Sequence, residues 1–174
     1  MIRIQSYRRE FLRAFVGAGA AALSACYRRP ELVRWRNQIG DLVTCGKLNY
    51  TVLEVVYKSQ LGSGPVGRLP KSMFIAIRIQ ATTSADNTSM PMLRLEAENE
   101  TMYPELVDAS DQEGWLGILR RVQPGTTEDG WIVFDAPPSN YGLWLSDGKL
   151  EDEQKMAVKI PIQISSGGPD SAVK

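Results

Sequence analysis

Apolar and polar side chains alternate with a period of two along much of the chain after residue 47. The alternation is clearest in residues 72–84, where one face carries four apolar side chains: Met73, Ile75, Ile77 and Ile79. Residues 48–60 and 92–98 alternate in the same way. No segment of a dozen or more residues keeps a helical period. The pattern therefore predicts strands whose successive side chains face opposite sides of a sheet.

Turn-forming residues separate the predicted strands. The loop at 59–71 is rich in Gly and Pro, Asn99-Glu100 is a candidate hairpin tip, and Pro124-Gly125 marks a turn. Closing strands are predicted within four segments: 115–122, 124–137, 141–146 and 156–164. The last belongs at a sheet edge or contains a bulge, because Pro161 cannot donate to a ladder. About eight or nine short strands without intervening helices predict an all-β fold, a two-sheet antiparallel sandwich.

The first 26 residues have the three-part order of a secretory signal peptide. Four arginines come first, an uncharged and largely apolar run fills 14–25, and Cys26 follows. At about 1.5 Å per residue, this run covers little more than half of the ~30 Å hydrocarbon core that a spanning helix must cross. The alternative is an amphipathic helix of the folded protein, since four apolar residues have helical spacing: Phe11, Leu12, Phe15 and Val16.

Two motifs in this segment resemble those of bacterial lipoprotein signals. The first resembles a twin-arginine export motif, with four recognition residues: Arg8, Arg9, Phe11 and Leu12. The second, Leu23, Ser24 and Ala25, resembles a lipobox, which implies that Cys26 becomes the new N-terminus and carries a diacylglycerol. The expected location is the extracytoplasmic side of a bacterial cell envelope, with the outer membrane as an option because Tyr27 follows the cysteine. The sequence leaves open whether export follows the twin-arginine route or the general secretory route.

These features divide the chain into four parts: a cleaved signal peptide (1–25), a lipidated tether (26–38), a sandwich domain (39–164) and a disordered tail (165–174). The tether holds a basic patch around Trp35: Arg28, Arg29, Arg34 and Arg36. We interpret it as a solvated segment next to the membrane. The alternative is attraction to anionic headgroups, with Trp35 at the interface.

Charge and cysteine content narrow the range of functions. The whole chain has 20 basic and 20 acidic residues, and residues 1–25 contain four arginines and one glutamate, so the remainder is net acidic. Nucleic-acid binding depends on clustered positive charge and is therefore not expected. With Cys26 lipidated, Cys45 has no partner and is expected to act as a small hydrophobe at a strand end; a Cys26–Cys45 disulfide is the alternative.

Several segments together resemble a known family. They are a strand ending in Val55-Val56-Tyr57, the strand and turn at 73–89, the hairpin at 93–104 and the segment 122–137. They resemble the immunoglobulin-like domain of unknown function that is common in bacterial lipoproteins and secreted proteins. The resemblance covers roughly 39–164, and its most specific part is Pro124-Gly125 followed by 130–137.

The resemblance implies a sandwich and an envelope location, and it brings no catalytic residues. In that family the hairpin tip is usually Asp-Gly or Asn-Gly, whereas this chain has Asn99-Glu100. The loop at 59–71 is also unusually rich in Gly. The first departure leaves the type of turn open.

Candidate catalytic chemistry is sparse. The chain contains no histidine, which removes Ser/His/Asp and Cys/His arrangements and most zinc sites. The alternating carboxylates Glu96 and Glu98 are expected on the solvated face of a half-buried strand. The sequence thus predicts no enzyme, no metal site and no cofactor. Two alternatives stay open: a hydrolase based on carboxylates, and a small-ligand or metal-ion carrier using Asp108, Asp111 and Glu113.

The function that fits these features best is a lipid-anchored, non-catalytic binding or assembly module. Its expected partners are the membrane, through the lipid on Cys26, and another envelope protein; no nucleic acid is expected. Four aromatic side chains are candidate protein contacts on an exposed face or edge strand: Tyr103, Trp115, Tyr141 and Trp144. A core position is the alternative for each of them.

Overall fold

The computed structural model describes residues 35–63, 65–86 and 88–162. The predicted export signal lies outside these residues, and so does the predicted tail from 165 onward: Arg8, Arg9, Phe11, Leu12, Leu23, Ser24, Ala25 and Cys26 belong to that undescribed part. Within the described ranges the chain forms ten strands and no α-helix. None of these segments is a helix of the length and apolarity needed to cross a bilayer.

Most of the ten strands lie close to the segments predicted from the period-two pattern, but the strand at Leu42–Cys45 lies before the first of those segments. Their bounds are β1 (Leu42–Cys45), β2 (Leu48–Lys58), β3 (Phe74–Thr83), β4 (Thr88–Met90), β5 (Arg94–Ala97), β6 (Met102–Pro104), β7 (Arg120–Val122), β8 (Thr127–Asp135), β9 (Tyr141–Ser146) and β10 (Lys155–Ile160). Two predictions were wrong in part. The strand predicted for 115–122 is confined to β7, and β4 lies in a segment that the sequence placed in a turn.

The strands form two four-stranded antiparallel sheets, which confirms the predicted fold class. Sheet 1 has the order β1-β2-β3-β8, and sheet 2 has the order β10-β9-β5-β6. Strands β4 and β7 pair separately as a two-stranded ribbon. Strand β10 lies at the end of its sheet and stops before Pro161, as expected for a residue without a backbone donor.

The core lies between the two sheets and is built from the inward-facing residues of both. Ile75, Ile77 and Ile79 of β3 are fully buried there, together with Leu95 of β5 and Leu143 of β9. Burying one such aliphatic side chain stabilises the fold by about 1.5–3 kcal/mol relative to exposure. The alternation seen in the sequence thus specifies which face of each strand enters the core.

A second apolar cluster covers the opposite face of sheet 1. Phe74, Ala76 and Val133 point outward from the sheet, yet they are buried beneath Leu61 and Ala109 from two long connections. Sheet 1 is therefore buried on both faces at this end. The period-two pattern did not indicate this, because the covering residues come from loops.

The long connection between β6 and β7 also pairs with the outer edge of β8. The backbone N–H of Leu106 donates to Val133 O at 2.8 Å, and that of Trp131 donates to Gly114 O at 2.9 Å. At Gly130 an added Cβ would lie 2.6 Å from Gly114 O, so only glycine permits this close approach. These bonds satisfy edge groups that would otherwise be open to pairing with another chain.

The first described residues pack on sheet 2, which differs from the predicted tether at 26–38. Trp35 is 8 % exposed and lies on Gly142, and the backbone N–H of Lys159 donates to Asn37 O at 2.9 Å. The indole of Trp35 is therefore buried against the domain, and the alternative that placed this ring at a membrane interface does not fit this structure.

The β5–β6 hairpin has a three-residue tip, residues 98–100, closed by the bond from Ala97 N to Thr101 O. Glu100 has a φ of 69°, the left-handed conformation that such hairpins usually give to glycine. The tip predicted at Asn99-Glu100 is thus in the right place, and a non-glycine residue holds the position that requires positive φ.

Candidate functional site

The outer face of sheet 2 carries an open groove of about 470 Å³. Its floor comes from β5, β9 and β10, and its walls come from β6 and the connection between β9 and β10. A volume of this size lies within the range of small-molecule binding pockets. We call it the sheet 2 groove.

Glu96 lies on the floor of the groove and is 8 % exposed, although it points away from the core. Its Oε2 accepts hydrogen bonds from two indole N–H groups, Trp144 Nε1 at 2.9 Å and Trp35 Nε1 at 3.5 Å. A buried carboxylate is costly unless donors of this kind stabilise it. The sequence placed Glu96 on a solvated face, and this prediction was wrong because two tryptophans cover it.

Trp144 is the aromatic side chain of the groove. It stands on β9 directly opposite Arg94 of β5, and it is half-buried. The bond to Glu96 fixes the direction of the indole N–H and hence the plane of the ring. A ring held in this way offers apolar contact area with little loss of conformational freedom on binding.

The lysines of the groove are each paired with an acid. Lys155 Nζ lies 2.6 Å from Glu153 Oε2, and Lys149 Nζ lies 3.1 Å from Asp147 Oδ2. Hydrogen bonds from Lys155 and Ser146 hold the pKa of Glu153 below its usual range. Burial alone raises the pKa of Asp147, but bonds from Lys149 and the backbone N–H of Gln154 outweigh it and hold that pKa low.

Arg94 differs from these lysines. Within the part of the chain that the structure describes, its exposed guanidinium has no hydrogen-bond or ion-pair partner. Met102 and Leu150, two exposed apolar side chains, stand near it on the walls. The groove therefore combines one uncompensated positive charge with apolar surface.

The four aromatic residues predicted as protein contacts do not form one surface. Tyr141 is fully buried in the core, and Tyr103 packs against it edge to face with ring centroids 5.8 Å apart. Trp115 packs against the second apolar cluster on sheet 1. Of the four, Trp144 lines the groove. Tyr141 can occupy a core position because its hydroxyl, which would be costly to bury without a partner, donates to the Pro137 carbonyl.

The acidic loop considered as a metal carrier is not assembled as a site. Asp108 accepts hydrogen bonds from Ser110 N and Oγ, which lower the pKa of its carboxyl. Its Oδ2 also lies 3.8 Å from Arg68 Nη1. Across the described ranges no three acidic or cysteine side chains converge as metal ligands. Asp108, Asp111 and Glu113 therefore do not form a common metal site in this structure.

Several groove residues were missed from the sequence. The sequence predicts Glu96 on a solvated face and does not single out Arg94, Lys149 or Lys155. A signal existed in part: Arg94, Glu96 and Trp144 all occupy outward positions of alternating strands. The pairing of β5 with β9 was needed to bring them together, and local patterns do not specify it.

Comparison with known proteins identifies the family. A family described as a domain of unknown function, DUF4352, matches residues 37–153, which include β1 to β9. The chain belongs to the DUF4352 family. The match covers every residue of the groove floor except Lys155. No curated protein matches this DUF4352 chain.

Solved structures share the sandwich fold at low sequence identity. The yjhA protein of Bacillus subtilis is 17 % identical, with a TM-score of 0.57 over 72 % of this chain and 99 % of its own. The secreted protein MPT63 of Mycobacterium tuberculosis is 12 % identical, with a TM-score of 0.52 over 72 % and 95 %. A candidate lipoprotein of Bacillus subtilis, ycdA, is 14 % identical, with a TM-score of 0.51 over 72 % and 39 %. At these sequence identities the similarity shows a shared fold and nothing about function.

Proposed function

We propose that this DUF4352 protein is exported, anchored by a lipid on Cys26 in the bacterial envelope, and acts as a non-catalytic binding module. Its sheet 2 groove contacts another envelope protein. The order of charged, apolar and lipobox residues at 1–26 supports export and anchoring. Two proteins of the same fold, one secreted and one a candidate lipoprotein, agree with such a location.

The observation that carries the proposal is the fixed aromatic ring of Trp144 in an open groove. Its indole N–H is held by Glu96 at 2.9 Å, so the ring plane is set before any partner arrives. Tryptophan and arginine are the residues most often found where binding energy concentrates, and the groove places Trp144 beside Arg94.

A binding role is favoured over catalysis because the carboxylates in the groove are already engaged. Glu96 accepts two indole N–H groups, and Glu153 pairs with Lys155 and accepts from Ser146. A general acid or base has to reach the substrate proton, and the histidine that most often does so is missing from the chain.

The test is a pull-down from detergent-solubilised membranes of the native host, with tagged full-length bait and mass spectrometry of bait and companions. Trp144→Ala removes the ring, and Leu119→Ala is the matched control because Leu119 is exposed and outside the groove. We expect a defined companion that Leu119→Ala retains and Trp144→Ala loses.

Two further observations check the proposal. Thermal melting of both variants shows whether each is folded at the temperature of the pull-down. Retention of the companion by folded Trp144→Ala contradicts the assignment of the groove. A bait that keeps residues 1–25 and lacks lipid, compared with a Cys26→Ser control, contradicts anchoring.

A further inference from the structure

We propose that the sheet 2 groove binds an extended peptide segment presenting one acidic side chain between apolar residues, with Arg94 holding the carboxylate and Trp144 the apolar neighbour. This inference deepens the proposed function and rests on it. It names the chemistry of the occupant, which the proposed function leaves open.

The charge of the groove favours an acidic partner group. Lys149 and Lys155 are each neutralised by an acid at 3.1 and 2.6 Å, and the charge of Glu96 is stabilised by two indole N–H groups. Among the described lining residues, Arg94 is thus the one ionic group whose charge has no partner. A guanidinium presents a planar fork of donors that fits a carboxylate with two parallel hydrogen bonds.

The geometry of the sheet places the apolar contact beside that charge. Arg94 and Trp144 are directly opposite each other on paired strands, which puts their Cβ atoms about 4.5–5.5 Å apart. Met102 and Leu150 add exposed apolar surface on the walls. Neighbouring residues of an extended peptide are separated by about 3.3 Å, so one carboxylate and its flanking side chains reach these groups together.

A peptide fits these observations better than a membrane surface. Attraction to anionic lipid grows with the number of uncompensated basic residues, at about 1 kcal/mol for each. The groove provides one such residue and two neutralised lysines, which is too little for headgroup binding. Its concave shape with a fixed ring suits a side chain that enters the groove.

The experiment uses the full chain with Cys26→Ser, so that no lipid is attached. The probes are two pools of blocked heptapeptides that are identical except for the central residue, Glu in one and Gln in the other, with random apolar residues on both sides. Retention on immobilised protein is measured by mass spectrometry. We expect the Glu pool to be retained about tenfold better at low salt, as a charge-assisted hydrogen bond pair predicts.

Arg94→Gln should reduce this preference to within about twofold. The matched variant Arg121→Gln removes the same kind of charge and should keep most of the preference, because Arg121 is exposed on β7 and does not line the groove. Equal retention of both pools, no retention of either, or a Glu preference that survives Arg94→Gln each overturns the proposal. The protein is also tested with vesicles of phosphatidylglycerol and phosphatidylcholine. If it binds them through Arg94 and shows no peptide preference, the ligand of Arg94 is a lipid headgroup, and the peptide proposal is overturned.

The outcome is separable from that of the proposed function. If the native companion is lost with Trp144→Ala and the peptide pools show no preference, the binding module stands and the acidic-peptide inference fails. If neither the companion nor the pools depend on the groove, both fail.

Discussion

The ion pair between Glu105 and Arg120 lies inside the sandwich, and replacing Arg120 is the sharpest test of how its packing works. The two side chains are 0 % and 2 % exposed, and Arg120 Nη2 donates to Glu105 Oε1. Glu105 Oε2 accepts from Leu93 N at 3.1 Å, and Arg120 Nε donates to Gly117 O at 2.6 Å. The pair thus joins the two ends of the long β6–β7 connection and holds them to Leu93, which directly precedes β5.

Arg120→Met removes the guanidinium but keeps most of the side-chain volume. Glu105 is then left buried with one backbone donor, and leaving a buried charge unpaired costs about 3–5 kcal/mol. Loss of the bond to Gly117 adds about 1 kcal/mol. Since domains of this kind have a stability of about 5–15 kcal/mol, the loss should be large in urea unfolding followed by tryptophan fluorescence at pH 7.

The double variant Glu105→Gln/Arg120→Met separates this explanation from simple loss of packing. Replacing both partners removes the unpaired charge, so the double variant should be more stable than Arg120→Met alone by about 2 kcal/mol. A double variant as unstable as the single one would show that the methionine packs badly and that charge is not the cause.

The pH dependence provides a second check on the same pair. Burial raises the pKa of Glu105, and the bonds from Arg120 only partly offset this. A carboxyl whose pKa is higher in the folded state contributes most stability below its unfolded pKa, and this contribution is lost as pH rises through the folded value. Without Arg120 the pKa rises further, so the deficit of Arg120→Met should shrink as pH falls from 8 toward 5. A deficit below about 1 kcal/mol at pH 7, or one independent of pH, refutes the reasoning.

Three other predictions concern single positions. Gly142→Ala would place a Cβ 2.1 Å from Trp35 Nε1, so we expect a loss of about 1–3 kcal/mol and faster exchange of the Trp35 indole proton by NMR; unchanged exchange contradicts the packing. Glu100→Gly should stabilise the fold by about 1 kcal/mol because it relieves the positive φ, and a loss in urea unfolding counts against the hairpin assignment. Burial raises the pKa of Cys45 to about 11, so its thiol should stay unmodified by a thiol reagent at pH 8 until the protein unfolds, whereas rapid modification of the native protein disproves its burial.

The strands with strong alternation were predictable, because local pattern and long-range pairing agree there. The predicted strands at 72–84 and 48–60 correspond to β3 and β2, which pair along almost their whole length. The short strand β4 was not predictable in this way, and β7 was predicted only as part of a longer strand at 115–122. Among the described strands these two pair with each other, and neither segment is long enough to show a period.

The candidate site was predictable only through Trp144. Its carboxylate partner, Glu96, is 48 residues away in the chain, and the second indole that covers this carboxylate, Trp35, is 61 residues away from it. In a period-two pattern, an outward glutamate between apolar neighbours looks solvated. Its burial depends on two aromatic side chains brought from distant segments, and no local pattern contains that information.

The two sheets differ in how their outer faces are used, and this difference bears on the position of the groove. Loops bury one end of the outer face of sheet 1, whereas Trp35 covers sheet 2 at Gly142 and leaves the groove beside it open. Trp35 is nine residues after Cys26, and nine extended residues span at most about 30 Å. With the proposed lipid on Cys26, Trp35 cannot lie further than this from the membrane surface. If that anchoring proposal holds, a partner would have to reach the groove close to the same membrane, and a membrane-bound envelope protein would suit this position better than a freely diffusing one.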